Sequence, residues 1–337
     1  MSFPQLQKVC IFLNRTCNLK CRGCNVINHK SAYELTTDEW CKAFDIMKSY
    51  GVGFIVLFGG EPTLRHDLPE LIRHLNSINM PHTIITNSYK LTNTLTLHNI
   101  LRANPYSISV SINHPKTNNP TNEFDDEIKT DYGWELLDYI QKFSKHFGFT
   151  GELVANMAIT KPNILQLPSM VETLTKMNVW SIMSFIHLCD PHESTFWWYR
   201  GPKDVENENL LFKPSDKKLI HGVADFFITN YSNLKLHNEK EYFAEWTKYG
   251  ITQNWHCKYF TCPAINPDGG IMACIDRPLS KPFNILTLLG KEKEMLLNFE
   301  QTINACPGDF WDHMWSTGLY AEKGIAGAGK KHFAHKE

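Results

Sequence analysis

The sequence predicts an α/β protein built on a parallel sheet, with a smaller region toward its C-terminal end. From about residue 8 to residue 188, short β-rich stretches alternate with helical patterns, which is typical of repeated βα units. Several of the β-rich stretches are continuously apolar, as strands covered by helices are. After residue 190 the alternation stops, and aromatic, charged and turn-forming residues follow. These observations favour one large α/β domain followed by a small one.

The strands and helices of the first region form six βα units. Apolar and β-branched stretches predict strands at residues 9–13, 54–58, 83–86, 107–112, 153–159 and 179–186. Thr36 and Glu39 form a capping-box pattern at the start of the first helix, and Trp40, Phe44 and Met47 follow at helical spacing. The fifth helix has four apolar residues on one face, Ile164, Leu167, Val171 and Leu174. Two later helices are predicted at residues 215–231 and 239–249.

The fourth strand has one apolar face and one polar face. Side chains alternate along a strand, so Ile108, Val110 and Ile112 point one way, and Ser107, Ser109, Ser111 and Asn113 point the other. A closed and fully packed barrel has bulky branched residues inside. A serine-rich and asparagine-rich interior therefore predicts an open space for a polar ligand. The alternative is that this face of the sheet contacts solvent.

Composition excludes several classes of function. The 337 residues include 34 Lys and Arg against 35 Asp and Glu, for a net charge of −1, which argues against a long nucleic acid as partner. No apolar stretch approaches the length of a membrane span, and the N-terminus lacks the features of a signal peptide. We therefore expect a cytoplasmic protein without membrane contact. Ten cysteines in a reducing compartment favour metal or cluster binding over disulfides.

Three of these cysteines, Cys17, Cys21 and Cys24, are separated by three residues and then two. A four-iron cluster normally takes four thiolates, so a tight group of three implies a missing ligand or a reserved coordination site. Structural zinc usually needs four ligands in paired spacing, which makes zinc the weaker alternative. Residues 54–62 follow, Phe-Ile-Val-Leu-Phe-Gly-Gly-Glu-Pro. Together, the cysteine spacing and the Gly-Gly-Glu segment resemble the radical S-adenosylmethionine (SAM) family.

This resemblance implies a partial (β/α)6 barrel over about residues 5–190. It further implies that Cys17, Cys21 and Cys24 hold a catalytic [4Fe-4S] cluster with one iron left open for SAM. Residues implied to contact SAM are Gly59, Gly60, Glu61, Ser109, Ser111, Asn113 and Asn156. The implied chemistry is reductive cleavage of SAM to a 5′-deoxyadenosyl radical that abstracts hydrogen from a substrate, with a flavodoxin or ferredoxin as one-electron donor.

A second cysteine group lies near the C-terminus. Cys257, eleven residues, Gly269, four residues and Cys274 resemble the opening of an auxiliary-cluster region of the SPASM or twitch type, with a second [4Fe-4S] cluster. Such regions add a Cys-x-x-Cys pair, but here Cys306 is followed by Asp309. The fourth ligand is then Cys262 or Asp309, or one iron stays open. A zinc ribbon, or no site at all, is the remaining alternative.

We accordingly expect four regions: a radical SAM partial barrel at 5–190, a connecting segment with helices at 191–250, an auxiliary-cluster region at 251–320 and a flexible tail at 321–337. Only 16 residues precede Cys17, so we expect no added peptide-recognition domain at the N-terminus. The favoured activity is oxidative or crosslinking modification of a peptide or protein. Dehydrogenation or rearrangement of a small sugar, nucleotide or other metabolite is the alternative, and a non-catalytic binding or sensing protein is the alternative of another class.

Overall fold

The computed structural model describes residues 6–21, 24, 26–89, 91–116, 132–186, 210–252, 254–306, 308 and 312–322. Its eight strands are β1 (Val9–Phe12), β2 (Ile55–Phe58), β3 (His82–Thr86), β4 (Ser107–Ser111), β5 (Glu152–Ile159), β6 (Trp180–Phe185), β7 (Ala264–Ile265) and β8 (Ile271–Met272). They form one open sheet in the order β6-β5-β4-β3-β2-β1-β7-β8. Strands β1 to β6 are all parallel, and each predicted strand is present with its ends shifted by no more than one residue.

Nine α-helices lie in the described part of the chain. They are α1 (Thr37–Ser49), α2 (Leu68–Ser77), α3 (Leu95–Ala103), α4 (Tyr132–Phe147), α5 (Leu167–Lys176), α6 (Lys217–Asn230), α7 (Lys240–Thr252), α8 (Glu292–Asn304) and α9 (Asp312–Glu322). None of the described helices is long and apolar enough to cross a membrane. The parallel sheet with its crossover helices, not closed into a barrel, is the predicted partial (β/α)6 fold.

Helix α1 shows how local sequence sets the ends of an element. The Thr36 side chain accepts a hydrogen bond from the Glu39 backbone N–H, and the Glu39 carboxylate accepts one from the Thr36 N–H, as the capping box predicts. A cap of this kind contributes about 1 kcal/mol. The helix buries Trp40, Phe44 and Met47 against the outer face of the sheet.

The two faces of the sheet have different environments. Alternate residues such as Ile11, Leu57 and Val110 pack into the large core under the helices. Their neighbours Phe12 and Phe58 face the interior, where they form a second apolar cluster with residues of the C-terminal region. On β4 the polar face is closed at one end and open at the other, since Ser109 is buried and Ser111 is partly exposed. The partly exposed end of this polar face therefore lies at the carboxyl end of β4, and an open space for a polar ligand there stays a prediction.

The C-terminal hairpin continues the main sheet. Strand β7 pairs in parallel with β1, with Cys10 opposite Ala264, and β8 pairs antiparallel with β7. The turn predicted at Asn266–Gly270 joins them, and Gly269 adopts a φ of +84° that favours glycine. The region that carries the second cysteine group is thus attached to the edge strand next to the first cysteine loop. The boundaries at residues 190, 250 and 320 stay predictions.

Acid should destabilise the fold through His82. This residue on β3 is fully buried, and burial lowers its pKa from 6.5 to about 4. Between these values the unfolded chain binds a proton that the folded chain does not, so stability is complete above pH 6.5 and falls toward pH 4, by roughly 3 kcal/mol. We expect His82→Leu to show a flatter pH dependence of urea unfolding than wild type over this range. The exposed His66, changed to Asn, is the control, and an unchanged slope in the His82 variant would contradict the assignment.

Candidate functional site

The Gly-Gly-Glu segment lies directly against the chain that leads into the first cysteine loop. After β1 and β2 end, the Leu13 N–H donates to the Phe58 carbonyl (2.8 Å), the Gly60 N–H to the Asn14 carbonyl (3.0 Å) and the Glu61 N–H to the Thr16 carbonyl (2.8 Å). A Cβ on Gly60 would lie 2.1 Å from the Thr16 carbonyl oxygen. Only glycine permits this approach, which positions the residue before Cys17.

Gly59 meets the same restriction one residue earlier. A Cβ there would lie 2.4 Å from the Asn14 carbonyl oxygen, and its φ of +150° is one that other residues rarely adopt. The sequence assigned both glycines to SAM binding and missed this contact with the backbone. Two adjacent glycines after a strand are a general signal of close backbone approach, but which segment approaches them is visible only in the fold.

The Glu61 carboxylate joins the ends of β2 and β3. It is fully buried and accepts hydrogen bonds from the Thr63 N–H (3.1 Å), the Thr63 hydroxyl (2.6 Å), the Thr86 hydroxyl (2.8 Å) and the Asn87 N–H (2.8 Å). Burial raises the pKa of Glu61, and these donors act in the opposite direction. The side chain therefore orders the strand ends around the site, and its predicted contact with the SAM amino group stays a prediction.

The first cysteine loop arranges its sulfurs with backbone donors. Cys17 Sγ accepts the Leu19 N–H at 3.4 Å, and the sulfur of Cys24 accepts the Val26 N–H. The Cys21 carbonyl accepts the Cys24 N–H at 3.0 Å, which closes the turn between these two cysteines. An N–H two residues after the cysteine favours the thiolate, which is the form that binds metal.

Burial has the opposite effect on these cysteines: when no cation is near, it favours the neutral thiol. It raises the pKa of Cys17, and it raises that of Cys24 to about 11, with a further increase from the nearby charge of Cys17. Two partly buried thiolates close together therefore need a positive group to neutralise them. Iron would supply it, because metal ligands lose their protons on binding.

Arg15 connects the first loop to the C-terminal hairpin. Its guanidinium donates to the Asn266 side-chain oxygen and lies 3.8 Å from the centre of the Phe12 ring. Burial lowers the pKa of Arg15 to about 10, so it remains charged at neutral pH, and its charge favours the Cys24 thiolate. Sequence analysis did not identify this residue, because its partner is 251 positions away.

The predicted ribose-contacting residues lie on neighbouring strands. Ser111 of β4 is opposite Asn156 of β5, and both are partly exposed at the open end of the interior, whereas Ser109 is buried. The Asn113 side-chain oxygen accepts the Ala158 N–H at 2.9 Å, so it also fastens the end of β4 to β5. The structure brings these four residues to one face, and their contact with SAM stays a prediction.

A second site is a cavity of about 380 Å³, a volume that includes open solvent. Cys257, Cys274 and Cys306 all line it, although they are far apart in sequence. Cys274 Sγ accepts the Asp276 N–H and Cys306 Sγ accepts the Gly308 N–H, each at 3.4 Å. This is the same donor position, two residues after the cysteine, that occurs in the first loop. Three of the predicted auxiliary ligands thus share a cavity and a local geometry.

Of the two other predicted ligands of the second site, Cys262 is not among the described residues that line this cavity. Cys262 is buried elsewhere, with its Sγ 3.7 Å from that of Cys10, and Asp309 lies outside the described residues. His256 and Arg277 line the cavity, and no spacing rule singled them out. Among the described residues, no three Cys, His, Asp or Glu side chains converge as for a single metal ion. A cluster, whose irons occupy separate corners, spreads its thiolates more widely.

One apolar wall contacts both sites. Phe12, Phe58 and Met272 form part of the interior cluster, against which Cys24 of the first site and Cys257 of the second both pack. The wall packs the C-terminal region against β1 and β2, so both cysteine groups contact one apolar surface.

Gly308 is expected to be essential for the second site. Its φ is +94°, and a Cβ would lie 2.7 Å from the Trp255 carbonyl oxygen, so Gly308→Ala should move the Cys306 turn away from Cys257. We expect the variant to lose the iron of the second site and keep that of the first, as measured by iron content after anaerobic reconstitution. The control is Gly290→Ala, where φ is +83° and nothing lies within 4 Å. Equal iron in both variants would contradict the prediction.

Comparison with known proteins supports a radical SAM domain in the part of the chain that contains the first site. The sequence profile of the radical SAM superfamily matches residues 11–158, which include Cys17, Cys21, Cys24 and the Gly-Gly-Glu segment. Enzymes of that superfamily use a [4Fe-4S] cluster and SAM, the two cofactors predicted for the first site.

Two curated relatives match parts of the chain. The PqqA peptide cyclase of Bradyrhizobium diazoefficiens is 37% identical over 86 residues, which is 25% of this chain and 23% of that protein. A probable GTP 3′,8-cyclase of Metallosphaera sedula is 26% identical over 211 residues, 60% of this chain and 63% of that protein. The match to the peptide cyclase thus spans less than a quarter of that protein's length, and the match to the GTP cyclase spans less than two thirds of its length.

Among solved structures, Streptococcus suis SuiB covers 90% of this chain and 67% of its own, with a TM-score of 0.60 and 17% sequence identity. This likeness shows the fold and confirms the predicted partial barrel. SuiB has also been solved bound to its precursor peptide SuiA and bound to S-adenosylmethionine.

Proposed function

We propose that this chain, whose residues 11–158 form a radical SAM domain, reductively cleaves SAM and abstracts hydrogen from a peptide or protein substrate in an oxidative or crosslinking modification. One observation carries the proposal. The Gly59–Glu61 segment is hydrogen bonded to the residues that lead into the Cys17 loop, so the group that would hold SAM and the thiols that would hold the cluster form one unit.

The residues of the first site have distinct tasks. Cys17, Cys21 and Cys24 would hold three irons of a [4Fe-4S] cluster and leave the fourth for SAM. When bound, these cofactors supply one electron and a 5′-deoxyadenosyl radical. The chain supplies the rest: Glu61 orders the strand ends, Ser111 and Asn156 face the space for the ribose, and the apolar wall around Phe12 and Phe58 excludes water. A one-electron donor of the flavodoxin or ferredoxin type is the partner we propose.

The second site would hold an auxiliary [4Fe-4S] cluster. Cys257, Cys274 and Cys306 line its cavity, and each of the last two receives a backbone N–H at sulfur. Cys262 would have to leave its contact with Cys10 to become the fourth ligand, which favours Asp309 or an iron left open to substrate. The cluster would accept an electron from a substrate radical or bind the substrate directly.

Two observations support different substrates. A peptide is favoured because the names of two matched proteins, PqqA peptide cyclase and SuiB bound to its precursor peptide, describe peptide substrates, and SuiB shares the fold over 90% of this chain. A nucleotide or other small metabolite is the second candidate, because the GTP cyclase relative matches 60% of the chain. A binding or sensing protein that does not cleave SAM is the candidate of another class.

The substrate class is tested by deuterium transfer. Perdeuterated peptide, nucleotide and sugar pools would each be offered to the reconstituted protein with SAM and reductant, and 5′-deoxyadenosine would be analysed by mass spectrometry. Deuterium acquired from the peptide pool supports the proposal, since the radical takes its hydrogen from the substrate carbon. Deuterium acquired only from the nucleotide or sugar pool would establish the second candidate and refute the first.

A further inference from the structure

The backbone N–H and the side chain of Asn87 together make four hydrogen bonds at the edge of the first site. Asn87 follows β3, and its backbone N–H donates to Glu61 Oε2 at 2.8 Å. Its side-chain Nδ2 donates to Cys17 Sγ at 3.5 Å and to Asn18 Oδ1 at 2.9 Å. Its Oδ1 accepts the Tyr89 N–H at 2.9 Å. Because the oxygen is occupied by a backbone donor, the network itself orients the NH2 group toward the sulfur.

We propose that Asn87 is a positioning residue that sets the reduction potential of the cluster held by Cys17, Cys21 and Cys24. The inference rests on the proposed function of that site. A donor at a ligand sulfur withdraws negative charge, and it does so more strongly after the cluster gains an electron from the donor protein or a chemical reductant. The hydrogen bond therefore favours the reduced cluster, and no proton leaves the amide.

The contact between Asn87 and Cys17 is part of a continuous series of hydrogen bonds that begins at Glu61. Glu61 holds the Asn87 backbone, and the Asn87 side chain reaches the sulfur, so the segment predicted to hold SAM is connected to a cluster ligand through one residue. Cys17 has backbone donors as well, at Leu19 and Asn18. Asn87 supplies a side-chain donor, and it is the one that a side-chain change removes.

The test is a redox titration of the reconstituted full chain, followed by electron paramagnetic resonance. The signal of the first cluster is identified by its loss in Cys21→Ala. In Asn87→Ala we expect the ratio of reduced to oxidised cluster at a fixed potential to fall about tenfold, since a hydrogen bond to a charged group has an effect of that order. Asn87→Asp keeps an acceptor for Tyr89 and places negative charge by the sulfur, so its ratio should fall further. Asn76→Ala, which loses bonds to the Ala103 and Asn104 carbonyls, is the control and should titrate as wild type.

Several results would overturn the inference. Wild-type potentials in both Asn87 variants, with normal iron content, would show that the bond has no effect on the cluster. Loss of the first cluster from both variants would assign Asn87 a purely structural role. A wild-type protein with no signal that depends on Cys21 would show that the first site holds no cluster, which overturns both proposals, whereas a normal signal without 5′-deoxyadenosine formation overturns the proposed function alone.

Discussion

Replacing Gly60 with alanine is expected to abolish productive SAM cleavage. The new Cβ would lie 2.1 Å from the Thr16 carbonyl oxygen and 2.5 Å from the Thr16 carbonyl carbon, and backbone atoms cannot rotate away as a side chain can. The chain leading to Cys17 must therefore shift. A displacement of about 1 Å at a reacting group costs roughly 100-fold in rate, so we expect at least that loss in 5′-deoxyadenosine formation. The iron bound by the first site should fall as well.

Gly222→Ala is the matched control for this variant. Gly222 lies on α6, and nothing is within 4 Å of a Cβ built there, so the change adds a side chain without a clash. Alanine is favoured over glycine inside a helix by about 1 kcal/mol, so the control should be slightly more stable than wild type and fully active. Wild-type activity in Gly60→Ala would show that the Gly-Gly segment does not position the cysteine loop.

Replacing Cys306 with alanine is expected to distinguish the role of the second site from that of the first. Its sulfur lines the second cavity and accepts the Gly308 N–H, and none of the described residues that line this cavity belongs to the first site. We therefore expect the variant to lose the iron of one cluster per chain, to continue cleaving SAM, and to stop converting substrate. Iron content, cluster spectra and 5′-deoxyadenosine formation are measured on one preparation.

Cys41→Ala provides the comparison. Cys41 is a partly buried residue of α1, outside both sites, and its loss should leave the iron content and SAM cleavage unchanged. Equal loss of SAM cleavage in the Cys306 and Cys21 variants would contradict a division of labour between the sites.

The sequence predicted the features that depend on local order. The six parallel strands follow from short apolar stretches, and the start of α1 from Thr36 and Glu39. The cysteine spacing indicated the first site, and Gly269 marked the turn between β7 and β8. Each of these signals lies within a few residues of the feature that it predicts.

The features that the sequence did not predict depend on long-range contacts. The contact of Gly60 with Thr16 requires the register of β1 with β2, and the contact of Asn87 with Cys17 requires the position of β3. Spacing also cannot tell which face of a hairpin a cysteine occupies. Cys262 was grouped with the auxiliary ligands, and the structure places its sulfur against Cys10.

The most direct test of radical SAM chemistry is anaerobic. The protein is reconstituted with iron and sulfide, then given SAM and a strong reductant, and 5′-deoxyadenosine is quantified beside a variant with Cys17, Cys21 and Cys24 all changed to alanine. We predict that the wild type forms 5′-deoxyadenosine and that the variant does not. A wild-type protein that carries its clusters but forms no 5′-deoxyadenosine, even in the presence of the peptide, nucleotide and sugar pools, would contradict the proposed function.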